Sequence, residues 1–152
     1  LNVLQRHLMR YPQQHAVMCL ELVQGEGGFN TGSKEFFTTL MQVLREQDIP
    51  IFADEVQTFG RTPQLFAYQY FQLEEYVDLV SIGKLSQVCA TLFRSSLKPK
   101  QGLLSQTFTS STIALQTSYW IIQHLMSDHF YGPTGKIAQL HHRFEEHFKR
   151  LE

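Results

Sequence analysis

Three short apolar runs, each stopping at a polar group, constrain this chain more than any other feature. Ala16 to Val23 is almost continuously apolar and gives way to Gln24-Gly25-Glu26-Gly27-Gly28, too glycine-rich for helix or strand. Ile49 to Ala53 stops at Asp54-Glu55, and Asp78 to Ile82 stops at Gly83-Lys84. Short runs that are apolar throughout, rather than alternating, are the pattern of strands buried on both faces of a parallel sheet. Val88 to Phe93 can supply a fourth strand.

The segments between the runs read as loops and helices. Ser33 can cap a helix whose apolar stripe is Phe36, Phe37, Leu40, Val43 and Leu44. A loop through Gly60 and Pro63 leads to a short aromatic helix at Phe66 to Phe71. Ser111 or Thr112 opens a helical segment that runs to Met126. After Gly132-Pro133, Thr134 caps a last helix with the stripe Ile137, Leu140, Phe144, Phe148 and Leu151. Strands alternating with helices imply an α/β architecture around a mainly parallel sheet, closed by C-terminal helices. A chain of 152 residues is expected to form a single domain, residues 1–152.

Composition matters for what it excludes. With 43% apolar and 18% charged residues the chain is of the globular kind, not the disordered kind. A net charge of -1 argues against a broad electrostatic footprint for nucleic acid or anionic lipid. No apolar run approaches the roughly 20 residues of a membrane-spanning helix. Cys19 and Cys89 lie far apart in apolar surroundings and read as buried free thiols, which suits the cytoplasm. His141, His142 and His147 read as a solvated helix face rather than a metal site, because His142 and His147 are five positions apart.

In open α/β sheets ligands bind beyond the carboxyl ends of the strands. Three polar groups fall at such ends: Glu21 to Gly28, Asp54 to Gln57, and Lys84. An acid, an amide and a lysine on one rim form a candidate site. Taken singly, each has a plainer reading. Asp54 can cap the turn after its strand, Gly83-Lys84 can be a solvated turn, and Glu21 can be the structural partner of an arginine. The glycine-rich loop lacks the Lys-Ser/Thr of a phosphate-binding P-loop.

The flanking residues favour the site reading for Asp54 and Lys84 and leave both readings of Glu21 open. Glu21-Leu22-Val23-Gln24-Gly25-Glu26-Gly27-Gly28 resembles the Glu-Pro-Val-Gln-Gly-Glu-Gly-Gly segment of class-III, pyridoxal-phosphate-dependent aminotransferases. Asp54-Glu55-Val56-Gln57-Thr58-Phe59-Gly60-Arg61-Thr62 resembles their Asp-Glu-Val-Gln-Thr-Gly-Phe-Gly-Arg-Thr, and Leu65-Phe66-Ala67-Tyr68 the segment that follows. Asp78-Leu79-Val80 and Gly83-Lys84 match the strand leading to the family's Schiff-base lysine.

The resemblance implies part of the large domain of a fold-type I transferase and a role for each matched residue. Asp54 would keep the pyridine nitrogen of pyridoxal phosphate protonated, so that the ring serves as an electron sink. Val56 would pack on the ring, and Gln57 would hydrogen-bond near its phenolic oxygen. Lys84 would hold the cofactor as a Schiff base and later move the proton. Thr107 would reach the phosphate of a partner subunit's cofactor in a homodimer. Glu21 resembles the acid that pairs with an arginine in aminotransferases acting on terminal amines. The implied reaction moves an amino group from an amino acid or terminal amine to a 2-oxo acid.

The departures from the family pattern shape the remaining expectations. Leu22 replaces the proline, and the glycine after Thr58 is absent, so the loop carrying Gln57 has to turn more tightly. Leu85-Ser86-Gln87-Val88-Cys89 replaces the usual glycines and resembles the lysine epsilon-aminotransferase branch. Thr109-Ser110-Ser111 stands where the family has Gly-Gly-Asn. Family members are much longer, so a fragment is expected, with the phosphate loop preceding Leu1 and a small domain following Glu152, and the isolated 152-residue chain is expected to be inactive by itself. A truncated, non-catalytic remnant, an aminomutase and a decarboxylase are the alternatives.

Overall fold

Parallel pairing joins β1 (Met18–Leu20), β2 (Ile51–Asp54) and β3 (Leu79–Ile82), and β4 (Ala90–Phe93) adds antiparallel to β3. The order in the sheet therefore follows the order in the chain. This computed structural model describes residues 1–105 and 110–151; Thr107 lies outside the described residues.

The crossover from β1 to β2 carries α2 (Lys34–Arg45), whose first turn is fixed by Ser33: its hydroxyl oxygen accepts the Phe36 N–H at 3.2 Å. Helical spacing puts Phe37, Leu40, Met41 and Leu44 on one buried face. They share the core with Leu22, Ile51, Ala53, Val80 and Ile82. Burying each such side chain is worth about 1.5–3 kcal/mol, which is what holds a short helix to a short sheet. The crossover from β2 to β3 is mostly loop, with the four-residue α3 (Ala67–Tyr70) near its middle.

An ion cluster locks the amino ends of the strands, opposite the candidate site. Asp78 is buried, its Oδ1 2.8 Å from an Arg45 nitrogen and 3.5 Å from Arg94 Nε. Its Oδ2 accepts the Ile51 N–H at 2.9 Å, so one carboxylate ties β2, β3 and α2 together.

Several sequence expectations need correction. A helix not anticipated, α1 (Asn2–Arg10), precedes the first strand; no side chain caps its start, and Leu8 is its one buried residue. The first strand covers only Met18–Leu20 of the apolar run, and Cys19 is exposed. Successive strand residues face opposite ways: Met18 and Leu20 turn toward the Phe36–Phe37 side of α2, while Cys19 faces the other way. Cys89 is exposed as well, so neither thiol is buried.

The tail has the expected helices, α4 (Thr112–Ser127) and α5 (Lys136–Phe148), with Ser111 capping the first. Gly135, not Thr134, is the residue at the start of α5. A Cβ there would come within 2.5 Å of the Phe130 and Tyr131 carbonyl oxygens, so the tight turn demands glycine at that point. The stripe of α5 is not core: Phe148 is 64% exposed, and Leu140, Phe144 and Leu151 are exposed with it.

Candidate functional site

The carboxyl ends of β2 and β3 are in register, with Asp54 paired to Ser81. Asp54 Oδ1 accepts two hydrogen bonds, from the Ser81 hydroxyl at 2.9 Å and from the Val56 N–H at 3.0 Å. Asp54 Oδ2 has no donor among the described residues, which leaves one carboxylate oxygen free to accept from a ligand. The Val56 side chain packs over Gly83, its Cγ1 3.2 Å from where a Cβ on that glycine would lie.

Lys84 follows Gly83 and opens a 3-10 turn, Lys84–Ser86. Its side chain is exposed and its φ is +49°. A side chain in the left-handed region is uncommon and costs about 1 kcal/mol or more, and such outliers gather at functional positions. Behind the turn the Ser86 hydroxyl donates to the Val88 carbonyl at 2.7 Å, and the Gln87 amide donates to the Lys84 carbonyl at 3.0 Å.

The loop between β2 and α3 is fastened by a residue that sequence reading did not single out. Glu55 is 0% exposed. Its Oε2 accepts from the Ala67 N–H at 2.7 Å and the Thr58 hydroxyl at 3.1 Å, and its Oε1 from the Tyr68 N–H at 2.9 Å. Burial pushes its carboxyl above the ordinary range, and these donors only partly counter the shift. The missing glycine is absorbed next door: Phe59 N–H reaches the Glu55 carbonyl at 2.9 Å, and Arg61 N–H the Thr58 carbonyl at 2.9 Å.

Gln57 leans on the glycine-rich loop. A Cβ on Gly25 would lie 2.1 Å from Gln57 Oε1, so only glycine permits the approach. The Gln57 amide also donates to Glu26 Oε1 at 3.3 Å. A groove of about 380 Å3 runs beside it, lined among others by Val23, Phe29, Arg61 and Tyr70.

Glu21 is placed differently. Its Oε2 accepts the Gly25 N–H at 2.9 Å, and it lines a separate cleft of about 420 Å3 between β1 and α2. It reaches Gln57 only through the turn it shapes, whereas Glu26 touches Gln57 directly. The structure thus gathers Asp54, Val56 and the Gly83-Lys84 turn, joins Gln57 to Glu26, and leaves Glu21 to the side. The glycine-rich loop signalled Glu26 in the sequence, but only contact distances separate the two acids.

A model of the family described as aminotransferase class-III matches residues 2–146. The chain belongs to the class-III aminotransferases. An acetylornithine aminotransferase of Oceanobacillus iheyensis is 31% identical over 120 residues, 76% of this chain and 30% of that protein. An L-lysine-epsilon aminotransferase of Mycobacterium bovis is 39% identical over 82 residues, 53% of this chain and 18% of that protein. Among solved structures, a lysine aminotransferase from M. tuberculosis in the internal aldimine form superposes with a TM-score of 0.75 at 25% identity, covering 85% of this chain and 31% of its own. The fold is that of the fold-type I aminotransferases. The chain spans less than a third of the length of these relatives.

Proposed function

We propose that the rim formed by Asp54, Val56, Gln57 and Lys84 is the pyridoxal-phosphate-holding part of an aminotransferase large domain, residues 1–152. The observation that carries this reading is the Asp54 carboxylate, fixed by Ser81 three residues before Lys84 and left with one free oxygen. The donor set suits the cofactor. Asp54 offers an acceptor for a protonated ring nitrogen, Val56 an apolar face beside Gly83, Gln57 an amide, and Lys84 an exposed amine.

When bound, pyridoxal phosphate supplies an electron sink that eases loss of a proton from the carbon bearing the substrate amine. The residues supply the rest. Asp54 holds positive charge at the ring nitrogen through its free oxygen. Val56 and Gly83 limit tilting of whatever lies above them. Lys84 Nζ is the amine that would hold the cofactor, and it would hold and move a proton as general base and acid.

An amino donor with a terminal amine and a 2-oxo acid acceptor fit the chemistry in the relatives' names and the Gln87-Val88-Cys89 stretch. Glu21 is the acid this reading assigns to the substrate. A second copy of the chain is the proposed partner, supported by the exposed apolar faces of α4 and α5, where Trp120 is 63% exposed. No helix among the described residues is long and apolar enough to cross a membrane, and the free thiols agree with a cytoplasmic location.

The assignment is tested by mixing the chain with pyridoxal phosphate, reducing with borohydride and mapping the labelled peptide. The label is expected on Lys84 and is expected to vanish in Lys84→Ala. A label that prefers Lys98 or Lys100 would overturn it.

A further inference from the structure

We propose that Ser81 is a positioning residue: its hydroxyl fixes the rotation of the Asp54 carboxylate so that Oδ2 faces the cofactor ring nitrogen. This deepens the reading of Asp54 given above and rests on it.

A carboxylate at a strand end turns readily about its last bond, because that torsion has a broad, roughly two-fold profile. Asp54 is restrained on one side only. Both of its donors, the Ser81 hydroxyl at 2.9 Å and the Val56 N–H at 3.0 Å, converge on Oδ1. The Val56 donor is local, two residues along the chain, and moves with the turn it belongs to. The Ser81 donor comes from the neighbouring strand, 27 residues away in sequence. It is aligned by the parallel register that pairs Asp54 with Ser81 and Ala53 with Val80.

Ser81 also stands on the strand that ends at Gly83-Lys84. The same short strand therefore orients the acid and presents the lysine. A hydrogen bond to a charged group is stronger than one between neutral groups, so a lone hydroxyl suffices to select one carboxylate orientation. Without it Oδ1 and Oδ2 interchange more freely, and part of the acceptor strength offered to the ring nitrogen is lost to disorder and water.

The test uses the 152-residue chain and pyridoxal phosphate itself, read by absorbance titration. Ser81→Thr keeps the hydroxyl, and Ser81→Val has the same shape without it; both suit a strand. Ser81→Val is expected to weaken the dissociation constant by about tenfold, equivalent to ~1.4 kcal/mol, with Ser81→Thr close to the parent. In an Asp54→Ala background the step from threonine to valine at 81 should cost less than about twofold, since there is no carboxylate left to orient. Equal affinities for Ser81→Thr and Ser81→Val would overturn the proposal. So would an undiminished threonine-to-valine loss in the Asp54→Ala background, because the effect would not run through Asp54. If Asp54→Ala alone left the titration unchanged, the reading of Asp54 itself would fall, a separate result.

Discussion

Replacing Glu55 by glutamine should destabilise the chain even though it removes a buried charge. Three donors converge on this carboxylate and nothing nearby needs a donor from it: Ala67 N–H at 2.7 Å, Tyr68 N–H at 2.9 Å and the Thr58 hydroxyl at 3.1 Å. Glutamine has nearly the same shape but turns one oxygen into an NH2. That group must face either the Ala67 or the Tyr68 N–H, donor against donor. One backbone N–H and one side-chain N–H are then left without acceptors, each costing about 1–3 kcal/mol where water is excluded. The charge no longer buried returns part of this, so the expected net loss is about 2–3 kcal/mol. Urea unfolding followed by far-UV circular dichroism measures it, and an unchanged m-value would show that the unfolded state is not the cause. A difference below about 0.5 kcal/mol, the size of an ordinary surface substitution, would refute the donor count.

The pH dependence tests the same carboxyl from the other side. Burial raises its pKa above the ordinary 4.5. The folded chain therefore binds this proton more tightly than the unfolded chain does. Stability from this source grows as pH falls through the raised value, is complete below the ordinary one, and is lost as pH rises again. Glu55→Ala lacks the group, so the gap between parent and variant should be wider below pH 4.5 than at neutral pH. A gap that narrows on acidification would mean that the donors, not burial, set the balance.

Asp78→Ala should lower stability by about 2–3 kcal/mol, less than a fully enclosed pair would lose, since Arg45 and Arg94 are partly exposed; an unchanged urea midpoint would contradict the cluster's role. Gly25→Ala should expel the Gln57 side chain from its contact, because the new Cβ would lie 2.1 Å from Gln57 Oε1. The Gln57 side-chain amide resonance should shift, and an unmoved resonance would show that the loop yields instead. Partial desolvation by its neighbours first, then the charges of Asp54 and Glu21, hold the exposed Cys19 thiol above its ordinary value. Asp54→Asn should therefore speed alkylation of Cys19 at mildly alkaline pH, where more of the thiol becomes thiolate, and an unchanged rate would remove Asp54 from its surroundings.

The strands were legible because each run of Ala16–Val23, Ile49–Ala53 and Asp78–Ile82 carries its own stop signal in glycine or charge. Their lengths were less so, since hydrogen bonding to a neighbour decides where a strand ends, and among the described residues β1 has a partner on one side only. Helix α1 was missed because its start has no capping side chain and only Leu8 is buried. The stripe on α5 is legible as a periodicity, but what it packs against is not. Spacing shows that one face is apolar but says nothing of what covers it, and no described element covers Phe144 or Phe148.

The candidate site divides along the same line. Asp54 and Lys84 could be found because residue type, strand end and spacing all act locally in sequence. Ser81 and Glu55 could not, since their importance comes from partners brought close by folding. Ser81 meets an acid 27 positions earlier, and Glu55 meets backbone amides 12 and 13 positions later. A serine in a strand or a glutamate after an aspartate carries no signal until the register is known. Glu21 and Glu26 show the converse. Both acids stood in a recognisable segment, yet one closes its own turn at 2.9 Å and the other meets Gln57 at 3.3 Å. A five-residue difference in position, invisible to composition and motif alike, separates an acid that builds the loop from one that faces the glutamine of the rim.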